Sequence, residues 1–334
     1  MASSQIKSAL VVGAGSIGRR HLSNLKKLGV TRLAACDPHP DRLEYVAAQF
    51  QVECFSDIAA GLGNFQADAV LVCTPPVAHV EQSIQALRAG AHVFIEKPLS
   101  DRLDRVKELR NEAAKSGAVV QVGYNLRFYP SIQKLKEVVD ASVVGKILWA
   151  HVEAGSYLPD WRPWQDYRKS YTARREAGGG ILLDGSHEFD YVTWLFGAPQ
   201  EVACMAGHVS QLEVDVEDCA TAMLRFPDGT RADVHLDFIQ RSYSRNCTLV
   251  GPLGRVQWDL PGNWVQITRP GEPVETMKFE SEIGDAYVAE LAHFLECAQT
   301  GAQPRFTLDE AILTLRVALA ARESAENRKW VVLD

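Results

Sequence analysis

The chain of 334 residues lacks the marks of a membrane, fibrous or nucleic-acid-binding protein. No apolar run approaches the length of a bilayer span, so no membrane partner is expected. There is no surplus of positive charge. Lys and Arg number 35 against 42 Asp and Glu, for a net charge of -7. Such a balance repels phosphate backbones and argues against nucleic acid as the main partner. The seven cysteines nowhere form a Cys-x-x-Cys pair. An odd, scattered set excludes a disulfide framework and a zinc site, and no metal is expected. The N-terminus has no basic segment followed by a long apolar core, so no signal peptide is expected and the reading is cytoplasmic. Internal repeats and low-complexity tracts are missing too. What remains is an ordinary globular composition at a length that suits two domains.

The sequence that is present announces itself early. Residues 9–12 are a short apolar run that reads as a buried strand. Gly13-Ala14-Gly15-Ser16-Ile17-Gly18 follows at once, and then a helical pattern through Leu22, Leu25 and Leu28. This is G-x-G-x-x-G in the strand–turn–helix setting that a dinucleotide site needs. Gly13 permits the turn, Gly15 lets a pyrophosphate approach the backbone, and Gly18 lets helix and strand pack closely. Ser16 and Ile17 open the helix, whose free N–H groups suit phosphate. Asp37 lies about 20 residues beyond, at the end of a second strand, where a carboxylate accepts the adenosine ribose hydroxyls. It would repel a 2′-phosphate, so NAD is expected in preference to NADP. The plainer alternative is that Asp37 starts the Asp37-Pro38 turn. Arg42 is the contrary signal, because a nearby arginine accommodates the extra phosphate.

Strand patterns at 32–36, 51–55, 68–74, 92–95 and 118–122 alternate with helical ones at 41–50, 79–89 and 101–115. That alternation predicts a parallel sheet covered by helices on both faces. Past residue 123 the pattern changes. A helix is expected at 131–141, a strand at 146–157, a loop at 158–175 and a helix at 184–196. Strand candidates follow at 201–209, 219–226, 230–239, 246–250, 255–260 and 264–268, then helices at 285–300 and 308–327. The expected fold is α/β: a doubly wound Rossmann sheet over 1–122, then an α+β domain with a large, mostly antiparallel open sheet over 123–334. Whether the last helix packs back on the first domain stays open.

Three residues stand out for chemistry. Hydride transfer from a secondary alcohol needs a base for the hydroxyl proton and a donor near the developing oxyanion. Lys97 follows the apolar run Val93-Phe94-Ile95, at the strand end where open α/β sheets bind ligands; the alternative is a surface lysine. His187 has the side chain that titrates near neutrality and suits the base. Asp184, three residues earlier, shares a helix face with it and can orient the imidazole. Their plainer readings are a core histidine and a helix N-cap.

Four stretches carry a resemblance: Gly13 to His21, Cys73-Thr74-Pro75-Pro76, Glu96-Lys97-Pro98, and Gly178-Gly179-Gly180-Ile181-Leu182-Leu183-Asp184-Gly185-Ser186-His187. In order and spacing over nearly the whole chain, the sequence resembles the glucose–fructose oxidoreductase / inositol dehydrogenase / MocA oxidoreductases. The resemblance implies a Rossmann domain followed by an open antiparallel sheet, and homodimers or homotetramers built by packing those sheets face to face. It implies a nicotinamide in the cleft between domains beside Lys97, with Lys97, His187 and Asp184 catalytic. Cys73, Thr74 and Pro75 would line the adenosine–ribose side of the cofactor, and Glu96 would contact the nicotinamide ribose. His79 would approach the cofactor or be structural. Asn125 and Arg127 would begin the second domain at the cleft, with Arg127 either facing cofactor or substrate or making a structural ion pair. One departure stands out: such families space the acid and the histidine four apart, and here Gly185-Ser186 alone separate them. That keeps His187 in register and leaves the role of Asp184 open.

The stretch 160–175 is the most individual. It holds Trp161, Trp164, Tyr167 and Tyr171 with Arg162, Arg168, Lys169, Arg174 and Arg175, against two acids. Aromatic faces suit sugar rings, and arginine forks suit carboxylate or phosphate. It reads as a lid in which Trp161, Arg162 and Arg174 bind an anionic carbohydrate, or equally as a subunit-contact arm. The expected activity is an NAD-dependent dehydrogenase acting on a secondary hydroxyl of a sugar, polyol, sugar acid or nucleotide sugar. The rivals are a redox-assisted epimerase, an NAD-dependent glycosidase, and a non-catalytic NAD or sugar sensor.

Overall fold

The opening apolar run folds as expected in the computed structural model, which describes residues 6–333. Every residue of β1 (Ser8–Val12) is buried. The chain continues through α1 (Ser16–Lys27), β2 (Arg32–Cys36), α2 (Pro40–Phe50), β3 (Glu53–Phe55), α3 (Ile58–Asn64), β4 (Ala69–Val72), α4 (Pro76–Arg88), β5 (His92–Glu96), α5 (Val106–Ser116) and β6 (Val120–Gly123). Then come α6 (Pro130–Asp140), β7 (Trp149–Gly155), α7 (Ile181–Asp184), α8 (Ser186–Phe196), β8 (Glu201–Gly207), β9 (Cys219–Arg225), β10 (Arg231–Asp237) and β11 (Ser244–Gly251). The remaining elements are β12 (Gly254–Asp259), β13 (Trp264–Thr268), β14 (Glu275–Lys278), α9 (Ile283–Thr300), α10 (Leu308–Asn327) and β15 (Val331–Val332). Among the described residues no helix is long and apolar enough to cross a membrane.

Two compact units divide these elements. One runs through Asn125 and takes in Tyr287–Ile312. Its six strands lie in the order β3-β2-β1-β4-β5-β6, all parallel. The order reverses between β1 and β4, and in such sheets ligands bind beyond the strand ends at that reversal. The sequence divides the chain once, after residue 122; the contacts also return Tyr287–Ile312 to this unit. The reason is long-range packing. Leu291, Phe294, Leu295 and Ala298, at helical spacing on α9, join Val11, Leu22, Leu25, Leu71 and Phe94 in one core. Phe294 meets Phe94 edge-on at 5.6 Å.

The other unit comprises Leu126–Ala286 and the chain from Leu313. Its nine strands follow the order β14-β13-β12-β11-β7-β10-β9-β8-β15. Every neighbouring pair is antiparallel except β7 with β10. Alternation fixes the faces: Ala220, Ala222 and Leu224 of β9 are buried, while Met223 between them is exposed. On the packed face Trp258 of β12 donates to the Ser131 hydroxyl at the start of α6, at 2.8 Å.

Three elements went unexpected. The two glycines inside α3 blur its period, although Asp57 caps it by accepting the Ala60 N–H at 2.8 Å. β14 and β15 are short strands at the two edges of the sheet, where few residues carry an alternating signal. The helix expected at 184–196 is two helices, because Gly185 ends α7 and heads α8. The loop expected at 158–175 contains the 3₁₀ turns Leu158–Trp161, Tyr167–Lys169 and Tyr171–Ala173, and a fourth, Arg175–Ala177, follows.

Candidate active site

The first set of candidate residues gathers where β1 and β4 end. Gly13 adopts φ +98, in the left-handed region, and a Cβ there would lie 2.7 Å from the Cys73 carbonyl oxygen. At Gly18 a Cβ would drive into the Gly13 carbonyl, so only glycine lets α1 start this close to the strand. Gly15 differs: a Cβ there meets nothing within 4 Å. The protein itself does not need that glycine; an approaching ligand does. Ser16 is exposed, Gly15 and Ile17 are half-buried, and no side chain caps α1. Its first N–H groups and the positive end of its dipole therefore face open space.

Asp37 lies against this turn, 3% exposed. Its Oδ2 accepts the Ala14 N–H at 2.8 Å and Arg42 Nη1 at 3.3 Å, and its Oδ1 accepts the His39 N–H at 2.9 Å. Asp37 thus shapes the turn after β2, which is the plainer of its two sequence readings, and also reaches the glycine loop. A carboxylate offers about four lone-pair positions, which leaves acceptor capacity for a hydroxyl. The Arg42 guanidinium is committed to Asp37 itself. An open glycine cradle, an uncapped helix start and a carboxylate at the second strand's end together fit a dinucleotide.

Beyond β4, Cys73 is buried, and burial pushes its thiol well up. The Thr74 hydroxyl donates to Gln82 Oε1 at 2.6 Å, and Pro75 is exposed. The buried His79 ring lies 2.7 Å from the Thr74 carbonyl and 2.8 Å from that of Pro98. It ties the turn after β4 to the turn after β5, and burial holds its pKa below the ordinary value. Glu96 is 7% exposed; its Oε1 sits 2.6 Å from His21 Nε2 and its Oε2 accepts the Lys97 N–H at 3.2 Å. Lys97, half-buried, directly follows the last residue of β5. His21 closes the glycine stretch in sequence, and its pairing with Glu96 went unread. Asn125, after β6, is 2% exposed.

The second set lies in the other unit. The triple glycine is dictated by what packs on it. A Cβ on Gly179 would strike the carbonyls of Tyr171 and Thr172. Gly180 adopts φ +111, and a Cβ there would strike the Glu217 carboxylate. The Gly180 N–H donates to Thr172 O at 3.1 Å and the Ile181 N–H to Glu217 O at 3.0 Å. Asp184 ends α7 and His187 is the second residue of α8. They are 5% and 6% exposed. Asp184 caps neither helix, since Gly180 and Gly185 hold those positions. Its Oδ1 instead accepts the Tyr171 hydroxyl at 2.8 Å. Burial, and the Asp184 charge beside it, push Tyr171 well above its ordinary pKa, and the positive Arg162 partly offsets them.

A small cavity of about 50 Å³ brings Asp184 and Trp161 together with Asp237, Tyr243 and Arg245. Arg245 pairs with the fully buried Glu188, the residue after His187, at 2.9 Å. The sequence points to Tyr171 only as one aromatic of the 160–175 stretch, and not to Glu188, Tyr243 or Arg245. The available signal was weak: an aromatic and basic stretch, 241–245, between two strand patterns. Arg174 Nε donates to Arg168 O at 3.2 Å, and its Nη1 lies 3.6 Å from Glu176. Arg168 is likewise engaged, with Asp166 and Glu213. Of the two readings of Arg127, the ion pair is present: Nε and Nη2 both donate to Asp190 at 2.9 Å, with both residues buried.

Comparison with known proteins agrees with this geometry. Residues 7–124 match the model of the oxidoreductase family with an NAD-binding Rossmann fold, and residues 136–333 match that family's C-terminal alpha/beta domain. The chain is 29% identical to the scyllo-inositol 2-dehydrogenase (NAD(+)) of Bacillus subtilis strain 168, covering 99% of this chain and 97% of that one. It is also 29% identical to the myo-inositol 2-dehydrogenase of Thermotoga maritima, covering 97% and 98%. Among solved structures, an inositol dehydrogenase homolog from Azotobacter vinelandii complexed with NAD+ superposes with a TM-score of 0.90 at 19% identity, over 99% and 98% of the chains. The WlbA dehydrogenase from Bordetella pertussis, in complex with NADH and UDP-GlcNAcA, gives 0.87 at 21% identity over 100% and 99%.

Proposed function

The chain belongs to the glucose–fructose oxidoreductase / inositol dehydrogenase / MocA oxidoreductase family, and from that premise we propose that it is an NAD-dependent dehydrogenase acting on a secondary hydroxyl of a sugar or polyol. The observation that carries this reading is the glycine turn with Asp37 bound to the Ala14 N–H beside it. Gly13, Gly15 and Gly18, with Ser16 and Ile17, hold the pyrophosphate against the start of α1. Asp37 takes the adenosine ribose, and Thr74 and Glu96 contribute from the ends of β4 and β5. When bound, NAD supplies the hydride acceptor.

The chain's own residues handle the proton and the charge. His187 accepts the hydroxyl proton as a general base. Lys97 donates to the alkoxide oxygen as charge develops there, which lowers the barrier more than it tightens ground-state binding. Asp184 orients His187. Relatives named for scyllo- and myo-inositol favour a cyclic polyol or sugar as substrate. Arg162, whose charge acts on Tyr171 beside Asp184, favours one carrying an acidic group.

The enzyme works as a homo-oligomer packed through the nine-stranded sheet. Its exposed Trp149, Met205 and Met223 support this, since apolar side chains on one open face favour a covered surface. Its seven cysteines are all free, which suits a reducing cytoplasm. The test is a screen of inositols, hexoses and sugar acids for NADH absorbance with NAD present. At least one class should turn over; silence across all of them, with NAD bound, would support a sensor instead.

A further inference from the structure

The spacing of the acid and the histidine leaves a gap that the structure fills from another element. Asp184 and His187 do not share one helix, because Gly185 separates α7 from α8. A carboxylate at the end of a four-residue helix is poorly fixed by its own element. It is fixed from outside. The backbone of Tyr171 and Thr172 lies directly on Gly179, close enough that only glycine fits beneath it. Two backbone bonds clamp it there: Gly180 N–H to Thr172 O at 3.1 Å and Gly179 N–H to Arg174 O at 3.0 Å. Asp215 N–H adds a third to Ala173 O at 3.2 Å. That clamp sets the Tyr171 hydroxyl 2.8 Å from Asp184 Oδ1.

We infer that Tyr171 is a positioning residue, whose hydroxyl holds the Asp184 carboxylate in place so that it can act on His187. The inference rests on the proposed roles of Asp184 and His187. Physically, a phenol donating to one oxygen fixes the rotamer of the carboxylate and draws part of its charge. The stretch 158–177 is then part of the base's support as well as a candidate lid. Arg162, from the same stretch, bears on the same phenol. Gly179, the middle residue of the triple glycine, is what lets the backbone of Tyr171 come this close.

The test is a double-mutant cycle on the full-length protein, with Tyr171→Phe, Asp184→Asn and the pair. Tyr171→Phe should lower kcat roughly tenfold with KM for NAD nearly unchanged, and add nothing further in the Asp184→Asn background. A readout independent of turnover is the titration of His187 by NMR, assigned by loss of its signal in His187→Gln. The titratable and charged groups around that region are Asp184, Glu188, Asp237, Tyr243, Arg245 and Arg162. Losing the phenol frees the carboxylate from its place beside the imidazole, so the His187 midpoint should fall in Tyr171→Phe. It should fall at least as far in Asp184→Asn and stay at that value in the pair. Additive losses in rate, or a His187 midpoint that ignores Tyr171→Phe while responding to Asp184→Asn, would overturn the inference. A protein that turns over no carbohydrate, yet shows the coupled titration, would fail the proposed function and keep the positioning role.

Discussion

At the scale of single residues, the cofactor preference hangs on Asp37. Its carboxylate is fixed by two backbone N–H groups and faces the glycine turn, with Arg42 bound to it. NAD should therefore bind at least tenfold more tightly than NADP, about 1.4 kcal/mol. Asp37→Ala releases Arg42 and should narrow that gap, as titration calorimetry with both nucleotides will show. Equal affinities in the unaltered protein would remove Asp37 from the ribose. Lys97 separates binding from chemistry. Lys97→Ala should cut kcat by roughly two to three orders of magnitude, as loss of an oxyanion donor does, and leave NAD affinity nearly unchanged. Near-normal turnover would return Lys97 to the surface. The placement of both just past strand ends was legible from local pattern alone, because an apolar run and a glycine motif specify position along the chain. Tyr171, Glu188 and Arg245 were not legible as site residues, because their partners lie 13 residues away for the tyrosine and 57 for the arginine.

At the scale of elements, the parallel sheet was readable because its central strands β1, β4 and β5 are built on short buried apolar runs that lead into a glycine, a proline pair or Lys97. The breaks were harder. Gly185 was read as one position within a helix, yet it separates two. Glycine ends a helix or tolerates a close neighbour, and only the neighbour decides which. Here a Cβ on Gly185 would meet Leu236 at 2.8 Å. The return of α9 to the first unit was likewise invisible, since an amphipathic period does not say which core receives it. That helix carries a cost. Glu290, between Tyr287 and Phe294 on α9, is fully buried, and among the described residues neither of its oxygens has a hydrogen-bond partner. Burial, reinforced by the negative Glu96, holds it well above the usual carboxylate range. A folded-state value above the unfolded one contributes stability that is fully present below the unfolded pKa, about 4.3, and is lost as pH rises through the folded value. Glu290→Gln should therefore melt near the wild type at about pH 4 and above it at about pH 8. A melting difference that does not grow with pH would mean that Glu290 ionises in place without penalty.

At the scale of the whole molecule, two sheets with different logics share one chain. The parallel sheet, buried on both faces, creates a nucleotide site at its topological reversal. The antiparallel sheet buries one face and leaves Met205 and Met223 exposed on the other. Its strands were legible as alternating runs, but its nine-strand order was not, because the one parallel pairing, β7 with β10, joins segments about 80 residues apart in register. The central claim is that this chain moves hydride between a secondary carbinol and NAD, and isotope transfer measures that most directly. The protein is incubated with NAD and the substrate found by the screen, carrying deuterium on the carbinol carbon. Mass spectrometry of the nicotinamide product should show the label in NADH, in step with ketone formed. Label that stays wholly in the carbohydrate, with NAD recovered oxidised and no ketone, would contradict the claim.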